Sequence, residues 1–113
     1  MGRRAAGAGA AVSETLADLT FDGIVIEWRG PAPFYFVAVP EALVGELRWA
    51  ATRASYGWGC VPVTAQAAGV AFTTSLFPKD GGYLVPLKVD VRRRAGIAPG
   101  TSVRVRLEVR DRA

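Results

Sequence analysis

The chain has 113 residues, half of them hydrophobic and 21% charged, which suits one domain with a real core and excludes a wholly disordered chain. Its single cysteine excludes an internal disulfide framework, and the lack of histidine removes the commonest general base and the usual nucleophile–base pairs. The formal net charge is +4, but residues 88–113 hold eight Lys/Arg against Asp90, Glu108 and Asp111, so the basic character belongs to one end.

Residues 1–18, "MGRRAAGAGAAVSETLAD", open with two arginines and a run of small residues too weakly apolar for a signal-peptide core. They are expected to be a disordered tail, with a single domain over residues 19–113. No run approaches the roughly 20 apolar residues that cross a bilayer. The cysteine usage points to a reducing cytoplasm. "GIVIEWR" (23–29) alternates, with Ile24, Ile26 and Trp28 on the side expected to be buried and Glu27 and Arg29 opposite. "FYFVAV" (34–39) is apolar on both faces, as a central strand is.

"PEALVGELRWAA" (40–51) predicts a helix, with Pro at its first position, Glu just inside, and Leu43, Leu47, Ala50 and Ala51 on one face. "VPVTAQA" (61–67) alternates again, and Pro62, which cannot donate to a ladder, places the strand's start or a sheet edge there. "VAFTTSLF" (70–77), "YLVPL" (83–87) and "SVRVRLEVR" (102–110) complete six strands. "DVRRRAG" (90–96) predicts a single-turn helix with Asp90 as cap and Gly96 as left-handed stop. Ala68-Gly69 reads as a tight turn. Lys79-Asp80-Gly81-Gly82 reads as a hairpin tip, because a strand follows its glycines where a phosphate cradle needs a helix.

There is also an internal echo. Each half has a strand, a short helix, a glycine-bearing turn and another strand, and Val39–Leu47 aligns with Leu87–Ala95.

The run 61–109 resembles a bacterial family of unknown function, domain of unknown function nineteen-oh-five. The residues that carry the resemblance are Thr74-Ser75-Leu76-Phe77-Pro78, Leu84-Val85-Pro86-Leu87-Lys88, Val91-Arg92, Gly96-Ile97 and Gly100, with "YGWGCVPV" (56–63) and "FVAVP" (36–40) upstream. Membership implies a mainly all-β fold, a six-stranded double-split β-barrel with two short helices, akin to AbrB- and MazE-like proteins. It implies that two strand–helix–strand units share one chain. It supplies no activity, and Cys60 stands where relatives more often carry a small non-cysteine residue.

Catalysis is not expected. Metal binding would rest on carboxylates alone, and no Asp/Glu run clusters, so no metal and no cofactor are assigned. Cys60 reads as a small half-buried hydrophobe. The candidate ligand-binding residues are Ser75, Lys88 and Arg92, a hydroxyl and two cations able to hold a carboxylate or phosphate, with Trp58 as a lid on its glycine-flanked loop. The competing account has Lys88 and Arg92 bridging Asp90, Glu27 or backbone carbonyls. A nucleic-acid surface built on Arg93, Arg94, Arg104 and Arg106 is the alternative. The expected partner is a small anionic ligand or a protein, and the expected state a monomer or weak homodimer.

Overall fold

The computed structural model of the chain describes residues 14–31, 33–54 and 59–111. Seven antiparallel strands and two helices follow one another: β1 (Thr15–Ile24), β2 (Ile26–Trp28), β3 (Phe34–Ala38), α1 (Glu41–Ala54), β4 (Val61–Ala67), β5 (Val70–Lys79), β6 (Gly82–Pro86), α2 (Val89–Ala95) and β7 (Ser102–Arg110). In space they form one curled half-barrel sheet in the order β1-β7-β4-β5-β6-β3-β2. The strands at the two ends of that order, β1 and β2, are one chain run interrupted at Val25. That residue donates to the Thr101 carbonyl at 2.9 Å and accepts from the Gly100 N–H at 2.8 Å. The six runs expected from sequence thus become seven strands. β5 is divided in the same manner, residues 70–76 pairing with β4 and 77–79 with β6.

The first run begins earlier than expected. Residues 15–18, assigned to a disordered tail, are the opening of β1, where Ala17, Leu19 and Phe21 are buried and alternate with exposed Asp18, Thr20 and Asp22. Its second half is inverted with respect to expectation. Val25 is the buried side chain, and Ile24, Ile26 and Trp28 face outward. Period two fixes which residues share a face but not which face is wet, and here the more apolar side lost. Where the run crosses β3, a Cβ on Gly23 would strike the Val37 side chain, so only glycine allows that approach.

α1 buries Val44, Leu47, Ala50 and Ala54 on the core, with Leu43 and Ala51 packed beside them. It runs three residues past the expected end, and its Arg53 pairs with Asp111 at 2.6 Å just beyond β7. Pro62 is the second residue of β4, a central strand, but β7 joins β4 only from Thr64 onward, so the missing N–H leaves no gap in that ladder. Lys88, and not Asp90, stands at the N-cap position of α2, where its side chain makes no capping bond. Asp90 sits in the first turn and bonds Arg94 one turn on, while Gly96 closes the helix at φ 66° as expected. Both hairpins turn on two residues at positive φ, Ala68 (50°) with Gly69 (84°) and Asp80 (52°) with Gly81 (80°), the geometry that matches strand twist. Pro78 and Lys79 therefore belong to β5, not to the turn.

The echo seen in the sequence is a structural repeat. The N–H of Val39 donates to the Tyr83 carbonyl and the N–H of Leu87 to the Tyr35 carbonyl. Adding 48 to Tyr35 and Val39 gives Tyr83 and Leu87, so the two bonds exchange about an approximate two-fold axis through the Val37–Val85 pair. On this relation β1–β2, β3, α1 and β4 form one unit and β5, β6, α2 and β7 the other. The β2–β3 register superposes on that of β5–β6 with an offset of 51 on the first strand, taking Ile26 to Phe77 and Trp28 to Lys79.

Candidate functional site

Lys88 and Arg92 stand one helical turn apart at the start of α2, a spacing that puts both on one side of the helix. They meet in a hollow of about 420 Å³ lined by Pro33, Phe34 and Tyr35 from the approach to β3, by Pro86 and Leu87 from the end of β6, and by Val89. Proline and aromatic side chains make its walls apolar. Arg92 is held there twice: its guanidinium carbon lies 3.5 Å from the centre of the Tyr35 ring, and its Nε donates to the Leu87 carbonyl at 3.2 Å. The Tyr35 hydroxyl donates to Glu27 at 3.0 Å, and Glu27 also receives Arg29 at 3.5 Å. The carbonyl bond is the architectural contact weighed from sequence, but the bridge to Glu27 runs through Tyr35 rather than through Arg92.

Neither cation has a carboxylate partner among the described residues. Asp90, the nearest acidic residue in sequence, is taken by Arg94 at 3.4 Å. Lys88, exposed at the helix cap, has no side-chain partner of any kind among the described residues. The charge in this hollow is therefore uncompensated, which is the condition for holding an anion.

Lys88 also borders a second, shallower depression of about 570 Å³ on the outer face of β4 and β5, where Ser75 stands with Thr64, Thr73 and Thr74. The structure thus brings Ser75 to Lys88 and Lys88 to Arg92, but on two sides of the lysine, not round one point. Trp58 lies outside the described residues. Tyr35, the ring beneath Arg92, was not singled out from sequence; its equivalence to Tyr83 under the 48-residue offset was the available signal.

The other hollow related by the internal two-fold is a control provided by the chain itself. It measures about 380 Å³ and lies between the start of α1 and the tip of the β5–β6 hairpin, lined by Val39, Glu41, Val44, Gly45, Arg48 and Asp80 to Gly82. Its Arg48 donates to the Gly81 carbonyl at 2.7 Å. The positions equivalent to Lys88 and Arg92 are Pro40 and Val44. Strand, turn and helix assemble there without either cation.

The arginines of the alternative reading are largely spoken for. Arg104 makes a two-point contact with Asp22, at 3.0 and 3.3 Å, and Arg106 with Asp18, at 2.9 and 2.6 Å, across the β1–β7 ladder. These bonds hold both carboxyls below the ordinary aspartate range, the hydrogen bond being the largest cause, and raise both guanidiniums. With Arg94 on Asp90, Arg93 alone of the four has no partner among the described residues. A face already matched by its own carboxylates releases few counterions on meeting phosphates.

Cys60 is half-buried and unpaired next to β4. No three His, Cys, Asp or Glu residues come together to hold a metal among the described residues, and among them no helix is long and apolar enough to cross a membrane. No curated protein matches the chain. A family model does, across residues 21–107 and so from the outer half of β1 almost to the end of β7, and the chain belongs to that family, described as Domain of unknown function (DUF1905).

Proposed function

We propose that the domain is a non-catalytic module that binds a small organic anion, a carboxylate or phosphate on an apolar body, in the hollow between β3, β6 and α2. One observation carries this reading: Lys88 and Arg92 share an apolar-walled hollow with no carboxylate to answer them. Arg92 is pre-positioned by the Tyr35 ring and the Leu87 carbonyl, so little side-chain freedom is left to lose on binding. Lys88 supplies the mobile second charge. Phe34, Pro86 and Val89 offer surface for the body of the ligand. That the equivalent hollow carries Pro40 and Val44 argues against these cations being a demand of the fold.

The test is a calorimetric screen of short aliphatic and aromatic carboxylates and phosphate monoesters against the full chain. A binder is expected whose affinity falls at least about tenfold in Lys88→Ala, roughly the worth of one charge-assisted hydrogen bond, while the melting temperature stays put. Arg92→Ala should lower both affinity and stability, since its side chain also packs on Tyr35. No binder of millimolar affinity or better, or a binder indifferent to Lys88→Ala, overturns the assignment.

A further inference from the structure

The outer side of the first run carries a feature that the ligand reading leaves unused. Ile24, Ile26 and Trp28 are 52%, 42% and 56% exposed and alternate with buried Val25 and half-buried Glu27, so all three point away from the core. Cross-strand register sets Phe36 beside Ile26 and Phe34 beside Trp28 on the same face. Phe34 stacks on Phe36 at 5.4 Å and reaches Phe77 at 5.5 Å, which extends the apolar surface inward across the sheet. α1 lies against β1, β4, β6 and β7 and α2 against β5, and where α2 reaches β3, through Arg92 over Tyr35, it does so on the Glu27–Tyr35 side of the strands and not on the side of Ile26, Phe34 and Phe36.

The fold does not require this surface. Under the internal two-fold, residues 24, 26 and 28 correspond to Ser75, Phe77 and Lys79 of β5. The same outward positions accept a hydroxyl and an ammonium in the other unit. Position in the sheet makes the contrast sharper. β2 ends the strand order, where sheets normally place charges that discourage association, and here the outward side chains are Ile, Ile and Trp.

We propose that a second copy of this chain docks on this face, giving a two-fold homodimer centred on Ile26 and Trp28. The area fits. The three exposed side chains present about 300 Å² of apolar surface, and the half-buried phenylalanines bring the patch to about 400–500 Å². A stable dimer of standard size buries about 800 Å² per partner, of which about 65% is apolar. The patch is also self-complementary. Antiparallel apposition about an axis near Ile26 sets Ile24 of each copy against Trp28 of the other, an aliphatic–aromatic pairing favoured across strands. Arg29 at the rim is compensated by Glu27 of its own chain at 3.5 Å, which removes a like-charge barrier between copies. Residues 1–13 are a poor alternative cover, since Met1 and Val12 are their only apolar side chains larger than alanine.

Sedimentation equilibrium of the full chain over a wide concentration range tests this. A monomer–dimer equilibrium is expected, weakened about 30-fold or more by Ile26→Lys and by Trp28→Glu, as for residues at the centre of an interface. Both substitutions are at exposed positions, so circular dichroism and melting should show a folded domain in each. Lys88→Ala should leave the mass unchanged, so failure here and failure of the ligand assignment are separable. A chain that stays monomeric at the highest concentration overturns the proposal. So does a dimer that survives both substitutions, or a monomer whose apolar face takes up a hydrophobic dye only once residues 1–13 are removed.

Discussion

Asp18 and Asp22 show how side chains far apart in sequence neutralise the basic end of the chain. Asp22 faces Arg104 directly across the β1–β7 ladder and Asp18, opposite Glu108, receives Arg106 diagonally; in each case the hydrogen bond from the arginine, reinforced by its charge, depresses the carboxyl below the ordinary aspartate value of 3.8. A carboxyl that ionises more readily when folded than when unfolded stabilises the fold above the unfolded value, and that contribution is lost as pH falls through the lower, folded value. Stability should therefore be flat from about pH 8 to 5 and decline as the pH drops below about 4. Both pairs are solvent-exposed, so the decline is shallow. Chemical denaturation of Asp18→Asn/Asp22→Asn across that range should show a flatter acid limb than the parent chain, and an unchanged limb would assign the loss to other carboxylates. These pairs were hidden in the sequence. Arg104 and Arg106 read as a basic stripe because their partners lie more than 80 residues upstream, and Asp18 borders an Ala/Gly-rich stretch that reads as a disordered tail. Lys88 and Arg92 were legible because their spacing is local and needs only a helix to bring them together. Tyr35 was not, because the contact that makes it matter crosses from β3 to α2.

Among the elements, the turns were nearly explicit in the sequence and the strand ends were not. Asp80-Gly81 and Ala68-Gly69 each place two residues at positive φ, and glycine at the second position is required in both. The first position is well chosen in one hairpin only. Asp tolerates the left-handed region through its short polar side chain, whereas Ala68 has no such help at φ 50°. Ala68→Asn should stabilise the domain by about 0.5–1 kcal/mol, since Asn accepts this conformation at little cost and adds no backbone freedom to the unfolded chain. Gly81→Ala, in open space but at φ 80°, should destabilise by about 1–2 kcal/mol. Urea midpoints at constant slope would measure both, and an Ala68→Asn variant no more stable than its parent would mean the turn is not under strain. The start of β1 escaped notice for a different reason. Ala17 is a weak hydrophobe beside an Ala/Gly-rich stretch, and its place in the alternation Ala17, Leu19, Phe21 becomes plain only when β7 lies opposite it. The orientation of Ile24, Ile26 and Trp28 failed in the opposite sense, since their hydrophobicity argued for a buried side that the Val25 interruption had already claimed.

For the molecule as a whole, the internal two-fold determines what folds with what. Within each unit only one pairing is internal, β2 with β3 and the end of β5 with β6. The pairings of β1 with β7, β4 with β5, β4 with β7 and β3 with β6 all run between units. The core follows the same division, as Leu19, Val37, Leu47 and Ala65 of the first unit pack with Leu76, Val85, Val105 and Leu107 of the second in one cluster. Neither half owns a closed core, so neither should fold alone, although the two are joined by nothing more than Ala68-Gly69. Chains 1–68 and 69–113 should each be unstructured by circular dichroism when purified separately. Mixed or co-expressed, they should form a folded 1:1 complex whose melting temperature rises with concentration, because the two-residue link normally supplies an effective concentration in the millimolar range or above. A half that folds by itself would show that its single internal hairpin, with the unit's remaining strands and helix, is enough to bury its apolar side. The interdependence of the halves also explains why the two helix-start hollows have the same frame and different contents. The exchanged strands build both frames, within which positions 40, 44, 88 and 92 differ: the second hollow carries Lys88 and Arg92 between apolar walls, whereas the first carries Pro40 and Val44, with Arg48 on the Gly81 carbonyl beside Glu41 and Asp80.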